Sequence, residues 1–344
     1  YKFMGWTPES IPADSDGAIT FTANWKADTI GTIRYDLDGG TITGEKTEYT
    51  VEDYGYVPPT PVKKGYTFTG WSLKSIPDDS KGTVTFKAKW EAMTATLLDG
   101  KSINAKFKKL AGDKSGAPLD TAIKAIQRSE ETPTAAVTAD TNSLISTDDS
   151  QNPVYAWFDN GIIKWWSEAG KVSAGTNMSS LCYYMTELTD ISGLSEWSTE
   201  NVADMSFAFQ STSIRDISYL SNWNTGKVTS MEAMFSYCTG LTNLNALSNW
   251  NTSNVTNMTS MFRSCSSLTN LNGLANWDTG KVTDMSVMFS DCEKLTDLSQ
   301  LSNWNTGNVT FMGSMFYCCG SLTNLGGIEN WDTGNVTNLS LIHI

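Results

Sequence analysis

Two rhythms of apolar residues run along the chain and predict two kinds of structure. From Thr83 to Trp90, apolar Val84, Phe86, Ala88 and Trp90 alternate with polar residues, and Ile33, Tyr35 and Leu37 alternate likewise before Asp38-Gly39-Gly40. Alternation with a period of two, closed by turn formers, predicts half-buried strands. The pattern recurs: Tyr1, Phe3, Gly5, Trp6, Ile11, Pro12, Gly17, Phe21, Ala23 and Trp25 return 65 residues later as Tyr66, Phe68, Gly70, Trp71, Ile76, Pro77, Gly82, Phe86, Ala88 and Trp90. Pro58, Pro59 and Pro61 punctuate the middle and no long helical pattern intervenes, which predicts a small, mostly β module.

The second rhythm is longer. Trp197, Trp223, Trp250, Trp277, Trp304 and Trp331 stand 26, 27, 27, 27 and 27 residues apart, and an earlier partial copy begins near Met178. Three, six and nine residues before each Trp stands Leu or Ile; two after it stands Thr, five after it Val, and eight after it Met from Met205 to Met312. A fixed period of this length is the mark of a solenoid, in which no unit buries its apolar face alone and neighbours must stack. Met258, Met261, Phe262 and Cys265 fall at i, i+3, i+4 and i+7, which predicts a short helix capped by Thr256 or Asn257. Leu268 to Asn272 reads as an extended segment or brief strand before a bend at Asn276-Trp277-Asp278-Thr279.

Between the two systems, residues 118–126 (Pro-Leu-Asp-Thr-Ala-Ile-Lys-Ala-Ile) predict a short helix, and the Thr, Ser and Asp run at 132–150 reads as loop. Trp157 to Trp166 predicts a hairpin, because Asn160-Gly161 accepts the positive φ angles of a two-residue turn. Its expected role is to cover the first repeat. Adjacent Trp165 and Trp166 would face opposite sides of a strand, so one at least is expected near solvent as a contact residue.

At this point the residues carry resemblances. Tyr35 to Gly40, Lys64 to Trp71, Ile76-Pro77 and Ala88-Lys89-Trp90 resemble the Listeria/Bacteroides repeat, the internalin B-repeat family, which implies small β-grasp-like modules strung along bacterial surface proteins. Asn249 to Met258, Met261-Phe262 and Cys265 to Leu268 resemble leucine-rich repeat proteins of the Bacteroides-surface-protein type, and Leu97 to Gly100 and Tyr155 to Gly161 resemble their lead-in region. That likeness implies extracellular display and adhesion to a host or to other microbes. The expected fold is mainly β with short helices: small β-grasp-like modules followed by an α/β leucine-rich-repeat solenoid with 27-residue rungs. The expected divisions are 1–26, the C-terminal half of one module; 27–92, a complete module; 93–176, linker and N-terminal cap; 177–338, the solenoid; and 339–344, a foreign tail. That tail resembles one reading frame of a transposon-type sequencing adapter.

Composition narrows the chemistry. Lys and Arg total 24 against 37 Asp and Glu, for a net charge of -13, which would repel phosphate backbones, so no nucleic-acid partner is expected. Apolar runs are short, so no direct membrane insertion is expected. The one histidine, His343, leaves no material for His-based triads or metal cages. Cys238, Cys265, Cys292 and Cys319 recur every 27 residues without any C-x-x-C pair, so buried structural thiols are expected rather than a metal site. Cys182 falls in the Phe slot and is expected in the core; Cys318 is expected to be exposed. Asp36-Leu37-Asp38-Gly39-Gly40 begins like a calcium loop, but Thr41 and Thr47 stand where its Gly and Glu belong, which favours a turn. Sequons such as Asn254-Val255-Thr256 recur with the repeat and matter only in a eukaryotic source.

The Trp file is expected to fill the interior rather than stack on sugars, and Asn222, Asn249, Asn276, Asn303 and Asn330 are expected to form an amide ladder at the bends. What remains outside is Thr242, Asn243, Thr269, Asn270, Thr296, Asp297, Thr323 and Asn324, a polar face that with Trp165 and Trp166 is the candidate binding surface. Residues 181–338 hold 5 basic and 14 acidic residues, net -9. The expectation is a non-catalytic bacterial cell-surface protein without catalytic residues, cofactor or metal, binding a host or microbial surface protein or glycan. The alternatives are a structural spacer displaying another domain and an enzyme acting on wall polymers.

Overall fold

A computed structural model describes residues 1–113 and 119–341. The chain is mainly β with few short helices, and it divides into two compact units, Tyr1–Met93 and Thr94–Ile344.

In the first unit β1 (Lys2–Thr7) and β2 (Thr22–Lys26) form a two-stranded antiparallel sheet. The strands β3 (Gly31–Asp36), β4 (Glu48–Tyr49), β5 (Tyr66–Trp71) and β6 (Gly82–Ala92) form a second sheet in the order β4-β3-β6-β5, with β3 parallel to β6 and the other pairs antiparallel. The 65-residue repeat is visible in the backbone. Pairing slips at Phe3/Gly5 in one sheet and at Phe68/Gly70 in the other, and Gly5 and Gly70 have φ of 123° and 134°, which side chains other than glycine's seldom tolerate. Ile33, Tyr49, Ile76, Val84 and Phe86 make the core of the larger sheet. Phe3, Trp6 and Trp25 of the smaller one stay 42%, 49% and 58% exposed. The turn after β3 closes through Gly40 N–H to the Leu37 carbonyl at 2.9 Å, and Asp36 and Asp38 pair with Lys87 and Lys63.

The second unit begins with β7 (Thr94–Thr96) and α1 (Gly100–Leu110), whose start is capped by the Asp99 side chain accepting the Ser102 N–H. Then come β8 (Ala125–Arg128), α2 (Ala135–Ala139), β9 (Tyr155–Asp159), β10 (Ile162–Trp166), β11 (Lys171–Ser173) and β12 (Trp197–Ser198). The expected hairpin is present as β9 and β10, with φ of 48° at Asn160 and 91° at Gly161, and β10 lies between β9 and β8. The helix expected over 118–126 is not found among the described residues: Pro118 falls outside them, and Ala125 to Arg128 is a strand. Here tertiary pairing overrides local propensity. Asp120 accepts the Ala122 and Ile123 N–H groups on its side chain, and the backbone of Asp120, Lys124 and Ile126 bonds to Tyr184, Thr186, Thr189 and Asp190 of the first repeat. The 132–150 run is loop apart from α2.

Three pieces cover the first repeat. Asn104 and Lys108 of α1 donate to the Leu181 and Tyr183 carbonyls, residues 120–126 pair as just described, and β7, β11 and β12 form a parallel sheet. Gly100 permits the approach of α1, since a Cβ there would meet the Met178 carbonyl at 2.6 Å.

From Asn177 onward, parallel bridges join Asn177 to Asp204, Asp204 to Ser230, Ser230 to Asn257, Asn257 to Asp284, Asp284 to Phe311 and Phe311 to Asn338. The stretch after each Met is not the expected helix. Met258, Ser260, Phe262 and Ser264 donate their N–H groups to Asp284, Ser286, Met288 and Ser290 of the next repeat, while Met261, Arg263 and Cys265 donate three residues back. Ser260 and Ser264 have φ of 57° and 58°, and a left-handed residue at every fourth position cannot continue an α-helix. The result is a ribbon of turns that keeps the i, i+3, i+4, i+7 apolar spacing and gives alternate N–H groups to its neighbour. The Leu half has no named strand; a 3₁₀ turn at Asn272–Leu274 and its counterparts follows Leu271 and its counterparts. Within the stretch 339–341, read from the sequence as the start of a foreign tail, the Ser340 carbonyl accepts the Ser314 N–H. Residues 342–344, His343 included, lie outside the described residues.

Val287 sits at φ 62°, which is costly for a β-branched side chain. Val287→Gly is therefore expected to stabilise the protein by up to about 1 kcal/mol, the left-handed cost relieved exceeding the glycine entropy added. In a helix the same change would destabilise by a similar amount, so the urea midpoint decides between ribbon and helix.

Candidate binding surface

The interior is filled as the periodicity requires. Trp197, Trp223, Trp250, Trp277 and Trp304 are buried, and Trp277, Trp304 and Trp331 stack within 1° of parallel. Each indole from Trp223 to Trp331 donates to a carbonyl of the preceding repeat, from Leu194 to Leu301, at 3.1 to 3.2 Å. Phe209, Phe235, Phe262, Phe289 and Phe316 form a parallel stacked file beside them. Cys238, Cys265, Cys292 and Cys319 are fully buried, and each thiol donates to a Phe carbonyl of the preceding repeat at 3.1 to 3.2 Å. Burial pushes the thiols up, to about 12 at Cys238 and about 11 at Cys319. Cys182 is in the core and Cys318 is exposed.

The amide ladder lies two residues from where the sequence placed it. Asn222, Asn249, Asn276, Asn303 and Asn330 are exposed. The side chains that close the bends belong to Asn224, Asn251, Asp278, Asn305 and Asp332, whose Oδ1 atoms accept the N–H two residues on. Thr199, Thr225, Thr252, Thr279 and Thr306, all buried, donate to the next repeat at the same corner. A residue just after Trp faces the bend; one just before it faces water.

Trp165 and Trp166 are not surface residues. Trp165 is fully buried, donates to the Gly193 carbonyl at 3.0 Å and packs edge-on against Trp197, while Trp166 is 8% exposed. Side chains on both faces of β10 are covered, so opposite faces here do not mean one face in water.

The other eight candidates form two files. Thr269 and Thr296 donate to the Thr242 and Thr269 carbonyls, and Asn243, Asn270, Asp297 and Asn324 accept the N–H two residues on. Asp297 is further bonded to Ser299, Gln300 and Asn324, and the Ser299 and Gln300 donors hold its carboxyl below the usual range. At the start of this face, where Arg215 replaces the Thr, lies a depression of about 290 Å³ lined by Arg215, Asp216, Ser218, Ser221, Asn243 and Asn245 among others. This face is exposed, but its Asx side chains are occupied in holding turns.

The sequence reading passed over the ribbon. Its positions between the apolar rows, first, second, fifth and sixth after each Met, hold Ser179, Ser180, Tyr183 and Tyr184 in one repeat, then Ser206, Phe207, Gln210 and Ser211, then Glu232, Ala233, Ser236 and Tyr237, of which Ser206, Ala233 and Ser236 are buried. They continue as Thr259, Ser260, Arg263 and Ser264, then Ser286, Val287, Ser290 and Asp291, then Gly313, Ser314, Tyr317 and Cys318, with Ser290 and Gly313 buried and Tyr317 and Cys318 exposed. The signal that could have found them is their variation between copies that are otherwise nearly identical. The Arg263 guanidinium lies 5.5 Å from the Tyr237 ring, its Nε is 3.8 Å from Asp291, and Asp291 N–H bonds to the Tyr317 carbonyl. Tyr317 is pushed up by its hydrogen bond to Cys318.

Two measurements follow from this arrangement. Asn251→Ala is expected to cost about 1 kcal/mol through its lost turn bond, whereas Asn249→Ala should stay within about 0.5 kcal/mol; urea unfolding compares them. In a thiol titration at pH 8, Cys318 should react in the folded protein and the five buried cysteines only on unfolding. Since the fold raises the buried thiols, its contribution is complete below the unfolded value near pH 8.5 and is lost as pH rises toward the folded values, at about 1.4 kcal/mol per pH unit per thiol. The thermal midpoint should fall above about pH 8.5, and Cys265→Ala should flatten that slope.

Residues 32–98 match the Listeria-Bacteroides repeat domain, whose members are typical of surface proteins. Residues 176–272 and 239–343 match the family described as Mycoplasma protein of unknown function, DUF285. No curated protein and no solved structure matches the chain. Among the described residues, no helix is long and apolar enough to cross a membrane. These matches make the chain similar to surface-associated repeat proteins.

Proposed function

We propose that the chain is a non-catalytic protein of the bacterial cell surface. In this reading the 27-residue repeats form a leucine-rich-repeat solenoid, and the solenoid presents a rigid face for adhesion to a host or microbial surface protein or glycan, with the β modules as spacers. The observation that carries the reading is the unbroken series of parallel bridges from Asn177 to Asn338. Such a ladder holds exposed side chains at fixed intervals, and a preorganised array loses little entropy on binding. The match of residues 32–98 to a repeat typical of surface proteins supports the location outside the cell. No cofactor and no reaction are part of the proposal.

A second reading, a spacer holding another domain, is favoured by the uniform Thr and Asx files whose polar groups serve the fold itself. Flow-cell capture of the purified chain on host cells, glycan arrays and matrix proteins separates the two. Retention above an unrelated acidic repeat protein is expected; retention no better than that control leaves the spacer reading. A peptidoglycan zymogram is expected to stay blank, and a cleared band would replace both with an enzyme.

A further inference from the structure

Comparing the repeats with one another separates positions the fold dictates from positions it leaves open. On the Thr-Asx face the residue types barely change from Thr242-Asn243 to Thr323-Asn324, and the Asx side chains close turns. The ribbon face does the opposite. Its left-handed positions are easily served by Gly, Asn or Asp, yet Tyr184, Phe207 and Tyr237 occupy them at φ of 59°, 61° and 61°. Tyr237 is 41% exposed and Tyr317, beside another left-handed residue, 43%. Tyr237 combines a bulky ring, a costly backbone angle and an exposed position; strain of this kind gathers at sites that touch something else.

Tyr237, Arg263, Asp291 and Tyr317 make one diagonal file, linked step by step by the contacts above. The Arg263 guanidinium holds the middle of the file, with its Nε buried from solvent and 3.8 Å from the Asp291 carboxylate. Aromatic rings and Arg are the residues that dominate protein contacts. Residues 181–338 carry net charge -9, which favours a partner of opposite sign, and Tyr faces attract ammonium and guanidinium groups.

We propose that this file on the turn ribbon is the docking site for an extended polypeptide segment bearing lysine or arginine. Its cations lie over the exposed faces of the Tyr237 and Tyr317 rings and beside the Asp291 carboxylate. The assignment rests on the binding reading above and specifies its face and its partner.

The test uses the full chain and a labelled alternating lysine-glycine peptide, with a glutamate-glycine peptide and a neutral glucan as parallel probes, followed by fluorescence anisotropy. The Tyr237→Ala/Tyr317→Ala pair leaves net charge unchanged and is expected to weaken the lysine peptide at least about tenfold; Asp291→Asn should weaken it several-fold, and Tyr237→Phe should retain affinity because the ring remains. Thr242→Ala/Thr296→Ala should stay within about twofold, as substitutions away from a contact have small effects. The cysteine titration confirms that each variant is folded. Equal affinity in all variants would mean diffuse charge attraction and overturn the proposal, as would Tyr-dependent binding of the glucan or the glutamate peptide. If the lysine peptide does not bind while the chain still adheres in the flow cell, the cationic partner is wrong and the adhesion reading stands. If neither assay shows binding, both fall.

Discussion

A buried N–H or C=O without a partner is too costly for a small domain to carry in numbers, and in the second unit neither long helices nor a wide sheet supplies those partners. The next repeat supplies them. Alternate N–H groups of the ribbon, the backbone of Thr229, Thr256, Thr283 and Thr310 and the bridging Asn, Asp and Ser residues all bond across the interval between copies. The side chains follow the same rule, since the indole of each Trp from Trp223 to Trp331, the thiol of each ladder Cys and the hydroxyl of each corner Thr reach a carbonyl one repeat away. The period is therefore held by position in the repeat rather than by distance along the chain. Trp223 follows the one short interval, yet it still finds the Leu three residues before the preceding Trp, 29 residues back instead of 30.

The same constraint explains the lead-in region. A first repeat with no predecessor would leave its carbonyls and apolar layer in water. The chain covers it with unlike pieces: a helix whose Asn104 and Lys108 take up the Leu181 and Tyr183 carbonyls, a strand-like segment beginning at Asp120, and a short parallel sheet. Trp165 belongs to this cover, which is why its ring is inside and bonded to Gly193. Pairing with the first repeat, more than propensity, gives residues 125–128 their strand form.

What the sequence made legible was whatever depends on which side chains are apolar. The Trp, Met, Phe and Cys files, the buried thiols, the hairpin at Asn160-Gly161 and the strands of the first unit follow from spacing and turn chemistry alone. What it hid depends on backbone angle. The spacing of Met258, Met261, Phe262 and Cys265 fits a helix and a ribbon of turns equally well, and only the left-handed residues between them distinguish the two. Serine at such a place gives little warning, and Val287 or Phe207 points the wrong way. The amide ladder shows the same limit, because Asn249 and Asn251 flank one Trp and are chemically identical, and the corner geometry alone selects the second.

A stack of this kind also divides its residues by freedom. Interior and corner positions are fixed by packing and by bonds to the neighbour, so change there alters the fold itself. The ribbon makes its inter-repeat bonds through the backbone, so the side chain at one position can change from Ser211 to Tyr237 to Ser264 to Asp291 without disturbing those bonds. The left-handed angle costs about 1–2 kcal/mol at each non-glycine residue, but that cost is fixed by the scaffold and offset by the burial of the Met, Phe and Cys rows. Surface chemistry is thus decoupled from register, which lets a repeat protein acquire a specific contact face without first having to find a new fold.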